Sequence, residues 1–148
     1  MTIGAAAVAI RPARIGDAEG IAALMSELGY ETSSLQMRER LERILPDVGY
    51  ATMVATSADR IGGMVGARMG FHYARDGAYA RVVALIVTRR MRQGGVGRAL
   101  VNAVEEWAGS KGAERILVAT ALHRDDAHRF YERLSYEHTG RRYIKLLH

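Results

Sequence analysis

Leu85-Ile86-Val87-Thr88-Arg89-Arg90-Met91-Arg92-Gln93-Gly94-Gly95-Val96-Gly97-Arg98-Ala99-Leu100 is the segment from which the remaining 148-residue chain can be read. It opens as the end of an apolar run, Val82 to Val87, whose β-branched content and length predict a buried strand. It continues through a bend rich in glycine and enters a helical pattern near Ala99. The first turn of a helix carries amide N–H groups without internal partners, and the helix dipole adds partial positive charge there. Glycine lets the main chain approach an anion closely. Arg89, Arg90, Arg92 and Arg98 surround the bend, so a pyrophosphate is the natural occupant.

Spacing narrows the choice. A Walker loop requires lysine and a hydroxyl after its last glycine, where this chain has Arg98 and Ala99. A dinucleotide fingerprint requires a glycine three positions beyond Gly97, where Leu100 stands, and it starts directly after a strand, from which this bend is separated. Neither pattern fits.

The flanking chain extends the pattern. Val8–Arg11 predicts a strand stopped by Pro12. Asp17 predicts a helix N-cap, with Ile21, Leu24, Met25 and Leu28 on one face before Gly29. A second helix is expected after Ser33 or Ser34, burying Met37, Leu41, Ile44 and Leu45 and ending at Pro46. Residues 51–56, 61–73 and 79–87 predict an antiparallel meander, with bulges or close approaches at Gly62, Gly63, Gly66 and Gly70. The helix after Gly97 buries Leu100, Val104 and Trp107. Arg115–Thr120 predicts a strand parallel to the one before that helix. A last helix from Asp125 or Asp126 and a hairpin of Tyr136–His138 with Tyr143–Leu147 complete the order.

Composition fits a single globular domain over residues 1–148, with 49% apolar and 25% charged residues. The apolar start lacks a basic segment and is too short for a membrane span, so a cytoplasmic protein with no membrane partner is expected. Absence of cysteine excludes disulfides, thiolate metal sites and a cysteine acyl-enzyme. The five histidines lack metalloprotease spacing, and no metal is expected. Charge is uneven: residues 1–80 hold 8 Lys and Arg against 9 Asp and Glu, residues 81–148 hold 13 against 7. The basic excess therefore accompanies the bend, as an anionic ligand requires. No basic run interleaved with aromatics points to nucleic acid.

Arg92-Gln93-Gly94-Gly95-Val96-Gly97, preceded by Leu85-Ile86-Val87, resembles the acetyl-CoA loop of the GNAT superfamily of N-acetyltransferases, whose pattern is Arg/Gln-x-x-Gly-x-Gly/Ala. Ala127-His128-Arg129-Phe130-Tyr131-Glu132-Arg133-Leu134-Ser135-Tyr136 resembles a later motif of the same family, Ala-x-x-Phe-Tyr-x-x-x-Gly-Phe/Tyr. The resemblance implies an α/β fold with a mixed, mostly antiparallel sheet of about seven strands, a splayed parallel pair and four helices on both faces. It implies direct acetyl transfer from acetyl-CoA to a primary amine, with a small-molecule acceptor preferred and a homodimer in prospect. Leu85 and Val87 would offer main-chain groups to the pantetheine arm, with Ile86 between them in the cofactor-binding stretch, and an amide near Val87 would stabilise the oxyanion. Arg92, Gln93, Gly94, Gly95, Val96, Gly97 and Arg98 would hold the pyrophosphate, mainly through backbone. Tyr131 would be the general acid for the departing thiolate.

Three departures from the family pattern stand out. Ser135 replaces the usual glycine, Arg124 stands where many relatives have a cofactor-contacting asparagine, and residues 79–87 carry no acid to serve as base. The base is left open among Glu31, His72, His123 and an ordered water chain. A non-catalytic acyl-CoA-binding regulatory or interaction module is the alternative function.

Overall fold

The computed structural model describes residues 7–119, 125–140 and 143–147. Contacts divide the chain into a unit ending at Leu117 and a second unit of Val118–His148. In the first unit the order is β1 (Ala9–Pro12), α1 (Ala18–Glu27), α2 (Ser34–Ile44), β2 (Tyr50–Ser57), β3 (Arg60–Phe71), β4 (Ala78–Val87), α3 (Val96–Ser110) and β5 (Ala113–Val118, whose last residue enters the second unit). Short 3-10 turns, Ile15–Asp17 and Arg89–Met91, precede α1 and follow β4. The five strands form one mixed sheet in sequential order, β1 to β4 pairing antiparallel.

Alternation along the strands gives the sheet two covered faces. Val54 and Met64 pack with Ile21, Leu24, Met37 and Leu41 of α1 and α2. On the other face, a Cβ added to Gly63 would meet Leu100 and Val96, which places α3 there. Leu100, Val101 and Val104 of α3 are fully buried. Leu100 and Val104 are as the periodicity predicts; Val101 is an addition, and Trp107 is only half-buried.

The glycine-rich β3 is bulged as expected. Ala55 faces Gly63 but Thr56 faces Ile61, so Gly62 is extra in β3. Gly66 faces Ala84 but Ala67 faces Val82, so Val83 is extra in β4 and its side chain turns out to solvent.

Asp17 does not act as the side-chain cap of α1 that its position suggests. Its carboxylate instead accepts from Arg14 N at 2.7 Å and pairs with both Arg11 terminal nitrogens at 2.8 Å. A bidentate guanidinium is a stronger partner than the helix amides, and the 3-10 turn puts Asp17 beneath it, 8% exposed. The Arg11 hydrogen bonds hold the Asp17 carboxyl below the usual carboxylate range, with burial opposing them. A carboxyl that binds its proton less tightly when folded stabilises the fold fully above its unfolded pKa of about 3.9, and that contribution disappears as pH falls through the lower folded value. Asp17→Asn is expected to cost about 2–3 kcal/mol at pH 7. Urea unfolding should show that difference shrinking below pH 4.

In the second unit, α4 spans Asp125–Arg133. Ser135 has φ +70°, Ser135 N donates to Glu132 O, and Tyr136 N donates to Tyr131 O, each at 3.0 Å. This is the left-handed helix stop expected at the glycine position, here with a serine in it. Ser135→Gly should stabilise this helix end by about 1 kcal/mol, read by denaturant unfolding.

Two expectations are corrected. The described residues form five strands, against about seven: residues 136–140 and 143–147 carry none, and the hairpin expected across Gly140 includes residues 141–142, which lie outside the described residues. Alternating apolar residues give strand propensity, but a strand exists only where a ladder partner meets it. The fifth strand begins two residues earlier than predicted, at Ala113.

Candidate active site

At the carboxyl end of β4 the register determines which backbone groups are offered. Thr88 N donates to Gly62 O at 2.8 Å, which makes Gly62 and Thr88 a hydrogen-bonded pair. In an antiparallel ladder such pairs alternate, so Ala84, Ile86 and Thr88 direct their N–H and C=O groups at β3. Leu85 and Val87 direct theirs away from β3, towards the side on which β5 lies.

The bend follows at once. Met91 N donates to Thr88 O at 3.0 Å, and Arg92 Nε donates to Val87 O at 3.2 Å, tying the bend back to the strand. Gln93, with φ +66°, shares with Gly95, at φ +82°, the task of reversing the chain. Gly95 is the N-cap of α3 and offers no side-chain cap, so the first-turn amides have no side-chain acceptor from that position. Residues 92–95 are exposed, and a Cβ on Gly95 would meet nothing within 4 Å among the described residues. The bend is an open rim of backbone donors with the exposed Arg89, Arg90, Arg92 and Arg98 about it. That donor set fits the diphosphate of a nucleotide-bearing thiol.

Helix α1 reaches the same junction. Thr88, 2% exposed, donates its hydroxyl to the Glu27 carboxylate, 2.9 Å from each oxygen, and Arg89 N donates to Glu27 Oε2 at 3.3 Å. The Thr88 bond holds the Glu27 carboxyl below its ordinary range. A cleft of about 420 Å³ runs beside this contact, lined in part by Leu24, Glu27, Ile61, Thr88 and Arg90. A second, of about 390 Å³, lies at the α1–α2 turn among Ser26, Glu31, Thr32, Ser33 and Gln36.

The sequence profile described as the acetyltransferase (GNAT) family matches residues 19–136. The chain belongs to the GNAT acetyltransferase family. It is an acyltransferase, of a family whose co-substrate is acetyl-CoA. It is similar to the aminoalkylphosphonate N-acetyltransferase of Salmonella typhimurium, 30% identical over 139 residues that span 93% of this chain and 90% of that one. In fold it is similar to a transcriptional regulator from Bacillus halodurans C-125, with TM-score 0.85, 24% identity, and 94% and 100% of the two chains covered. It is likewise similar in fold to an aminoglycoside N-acetyltransferase in complex with CoA, with TM-score 0.85, 19% identity, and 99% and 98% covered.

Within this GNAT chain the residues singled out from sequence are unequally distributed. Leu85 and Val87 turn their main chain outward and residues 92–95 with Arg98 are exposed, whereas Ile86 turns its main chain to β3 and packs against the core, and Val96 is buried against the sheet; Glu31 is exposed on the α1–α2 turn that follows Glu27. His72 is elsewhere. It follows the end of β3 at Phe71, eight residues from Gly63, so about 26 Å of strand separates it from the bend. Its ring packs 4.8 Å from that of Tyr79, and its Nε2 is buried without a hydrogen-bond partner among the described residues. His123 lies outside the described residues, as does Arg124. Tyr131 is half-buried on α4, with ring centroids of Phe130 and Tyr136 at 5.1 and 5.6 Å.

Sequence reasoning missed Glu27 and Thr88. Glu27 is the last residue of α1, where the helix dipole disfavours a carboxylate. That local conflict was the available signal that Glu27 has an external partner. Which partner could only come from the fold, because the contact spans 61 residues.

Proposed function

We propose that this GNAT protein transfers the acetyl group of acetyl-CoA directly to a primary amine of a small molecule, within a ternary complex and without a metal. The open amide rim at Gly95, where β4 runs into α3, carries this reading. Main-chain N–H groups of the bend hold the pyrophosphate, and Leu85 and Val87 pair with the pantetheine arm through the groups that face away from β3. The neutral amine attacks the thioester carbon, and the charge that forms on the carbonyl oxygen is met by the Val87 amide. Collapse of the tetrahedral adduct forms the amide and breaks the carbon–sulfur bond. The electron pair leaves on sulfur, Tyr131 supplies the proton that makes the free thiol, and the amine releases its own proton to base or water.

The amine must lose that proton because an ordinary ammonium has a pKa of about 10.4. By the family resemblance Glu31 lies on the loop that selects the acceptor, and Glu31, His123 and an ordered water chain are the routes for the proton. A small-molecule acceptor is supported by the Salmonella relative, whose name specifies an aminoalkylphosphonate. A single functional domain acting in the cytoplasm, with a homodimer in prospect, agrees with this chemistry.

The test is an amine panel that includes aminoalkylphosphonates, aminoglycosides and amino acids, followed by release of free CoA thiol. Turnover on a small amine is the expected result. Calorimetric binding of acetyl-CoA with no thiol release on any amine would make the protein a binding module instead.

A further inference from the structure

Glu27 ends α1 with both carboxylate oxygens engaged at one point, the junction between β4 and the bend. Its partner Thr88 is fixed three ways: the hydroxyl by Glu27, the amide by Gly62 O, and the carbonyl by Met91 N. The Met91 bond closes the 3-10 turn from which the bend leaves, and Arg92 Nε on Val87 O closes it from the other side. Two residues after Glu27, the main chain passes Gly29 and enters the turn that bears Glu31, Thr32 and Ser33.

We infer that Glu27 is a positioning residue: through the Thr88 hydroxyl and the Arg89 amide it sets the acetyl-CoA bend in its binding conformation and links that bend to the α1–α2 turn. The inference rests on the acetyltransferase reading and goes beyond it, because Glu27 needs to touch neither substrate. Glu27 is unsuited to be the missing base. Its carboxylate already accepts from two donors, and the Thr88 bond that lowers its pKa weakens it as a proton acceptor. Instead it joins the first helix, which leads to the acceptor-side turn, to the loop that holds the donor. A loop held in its bound form before the ligand arrives binds without having to be ordered.

Such a residue acts on ground state and transition state alike, so its loss should raise KM for acetyl-CoA and leave kcat nearly intact. In Glu27→Gln and in Thr88→Val the acetyl-CoA KM should rise about five- to tenfold with kcat within about twofold of wild type. The double variant should be no worse than the poorer single, because both remove one interaction. Thr88→Ser, which keeps the hydroxyl, should stay near wild type. Asp17→Asn, which weakens the opposite end of α1, should lower the unfolding midpoint without moving this KM. Amide hydrogen exchange of the free protein should be faster at residues 89–95 in Glu27→Gln, a readout independent of turnover.

An unchanged KM in Glu27→Gln and Thr88→Val overturns the inference. So does full additivity in the double variant, an equal KM rise in Asp17→Asn, or unchanged exchange at residues 89–95. A wild-type protein without affinity for acetyl-CoA strikes the function itself and takes the inference with it, whereas tight wild-type binding with unaffected variants removes the inference alone.

Discussion

Gly95→Asp is expected to reduce affinity for acetyl-CoA by at least about 100-fold while leaving a folded protein. Gly95 has φ +82°, and aspartate is among the few residues that adopt left-handed backbone at modest cost, about 1 kcal/mol. Among the described residues nothing within 4 Å would obstruct the new Cβ. The carboxylate would, however, sit at the mouth of α3 and place a negative charge where the diphosphate belongs. Loss of two charge-assisted hydrogen bonds at about 1.5 kcal/mol each amounts to about 3 kcal/mol, a factor of about 100. Gly95→Ala, which adds strain but no charge, should lose less than tenfold. Calorimetric titration with acetyl-CoA, beside circular dichroism and thermal unfolding of each variant, measures both halves of the prediction. Retained affinity in Gly95→Asp would mean that the diphosphate binds elsewhere.

Tyr131→Phe should lower kcat about 100-fold or more, with acetyl-CoA affinity nearly unchanged. A positioned general acid contributes about 10²–10⁴ in rate, and phenylalanine keeps the ring while deleting the only group able to donate a proton. Tyr131 also closes its helix, through its carbonyl to Tyr136 N and its ring against that of Tyr136. Phenylalanine preserves both of these contacts, and thermal unfolding of the variant reads any structural loss apart from the rate. Thiol release under saturating acetyl-CoA reads the rate. Equal turnover in the two proteins would remove the assignment and leave Tyr131 as the aromatic that ends α4.

Much of the fold was legible because it depends on local signals. Helix α2 starts after Ser33, as the serines predicted, and Gly29 follows the end of the first helix at the expected place. The bend was legible for the same reason: a strand, glycines and a helix start are consecutive in sequence. Long-range pairing was not. Arg11 outcompetes the helix amides for Asp17, and Thr88 recruits Glu27, through contacts that no window of the sequence contains. His72 illustrates the converse. As a residue type it suited proton transfer, but only the strand register reveals that it stands at the far end of β3 from the bend.

The extra residue at Val83 separates two halves of β4 that are out of phase by one position. Leu85 and Val87 owe the outward direction of their main-chain groups to that offset as much as to their own identity. Substituting Val83 should therefore matter little, since its side chain already points into water. Deleting it, or inserting a neighbour, would force the strand either to lose its offset or to turn over beyond it. Segment length here is a stricter requirement than segment composition, and shuffled or grafted versions of this strand should be designed to keep the residue count between Tyr79 and Val87.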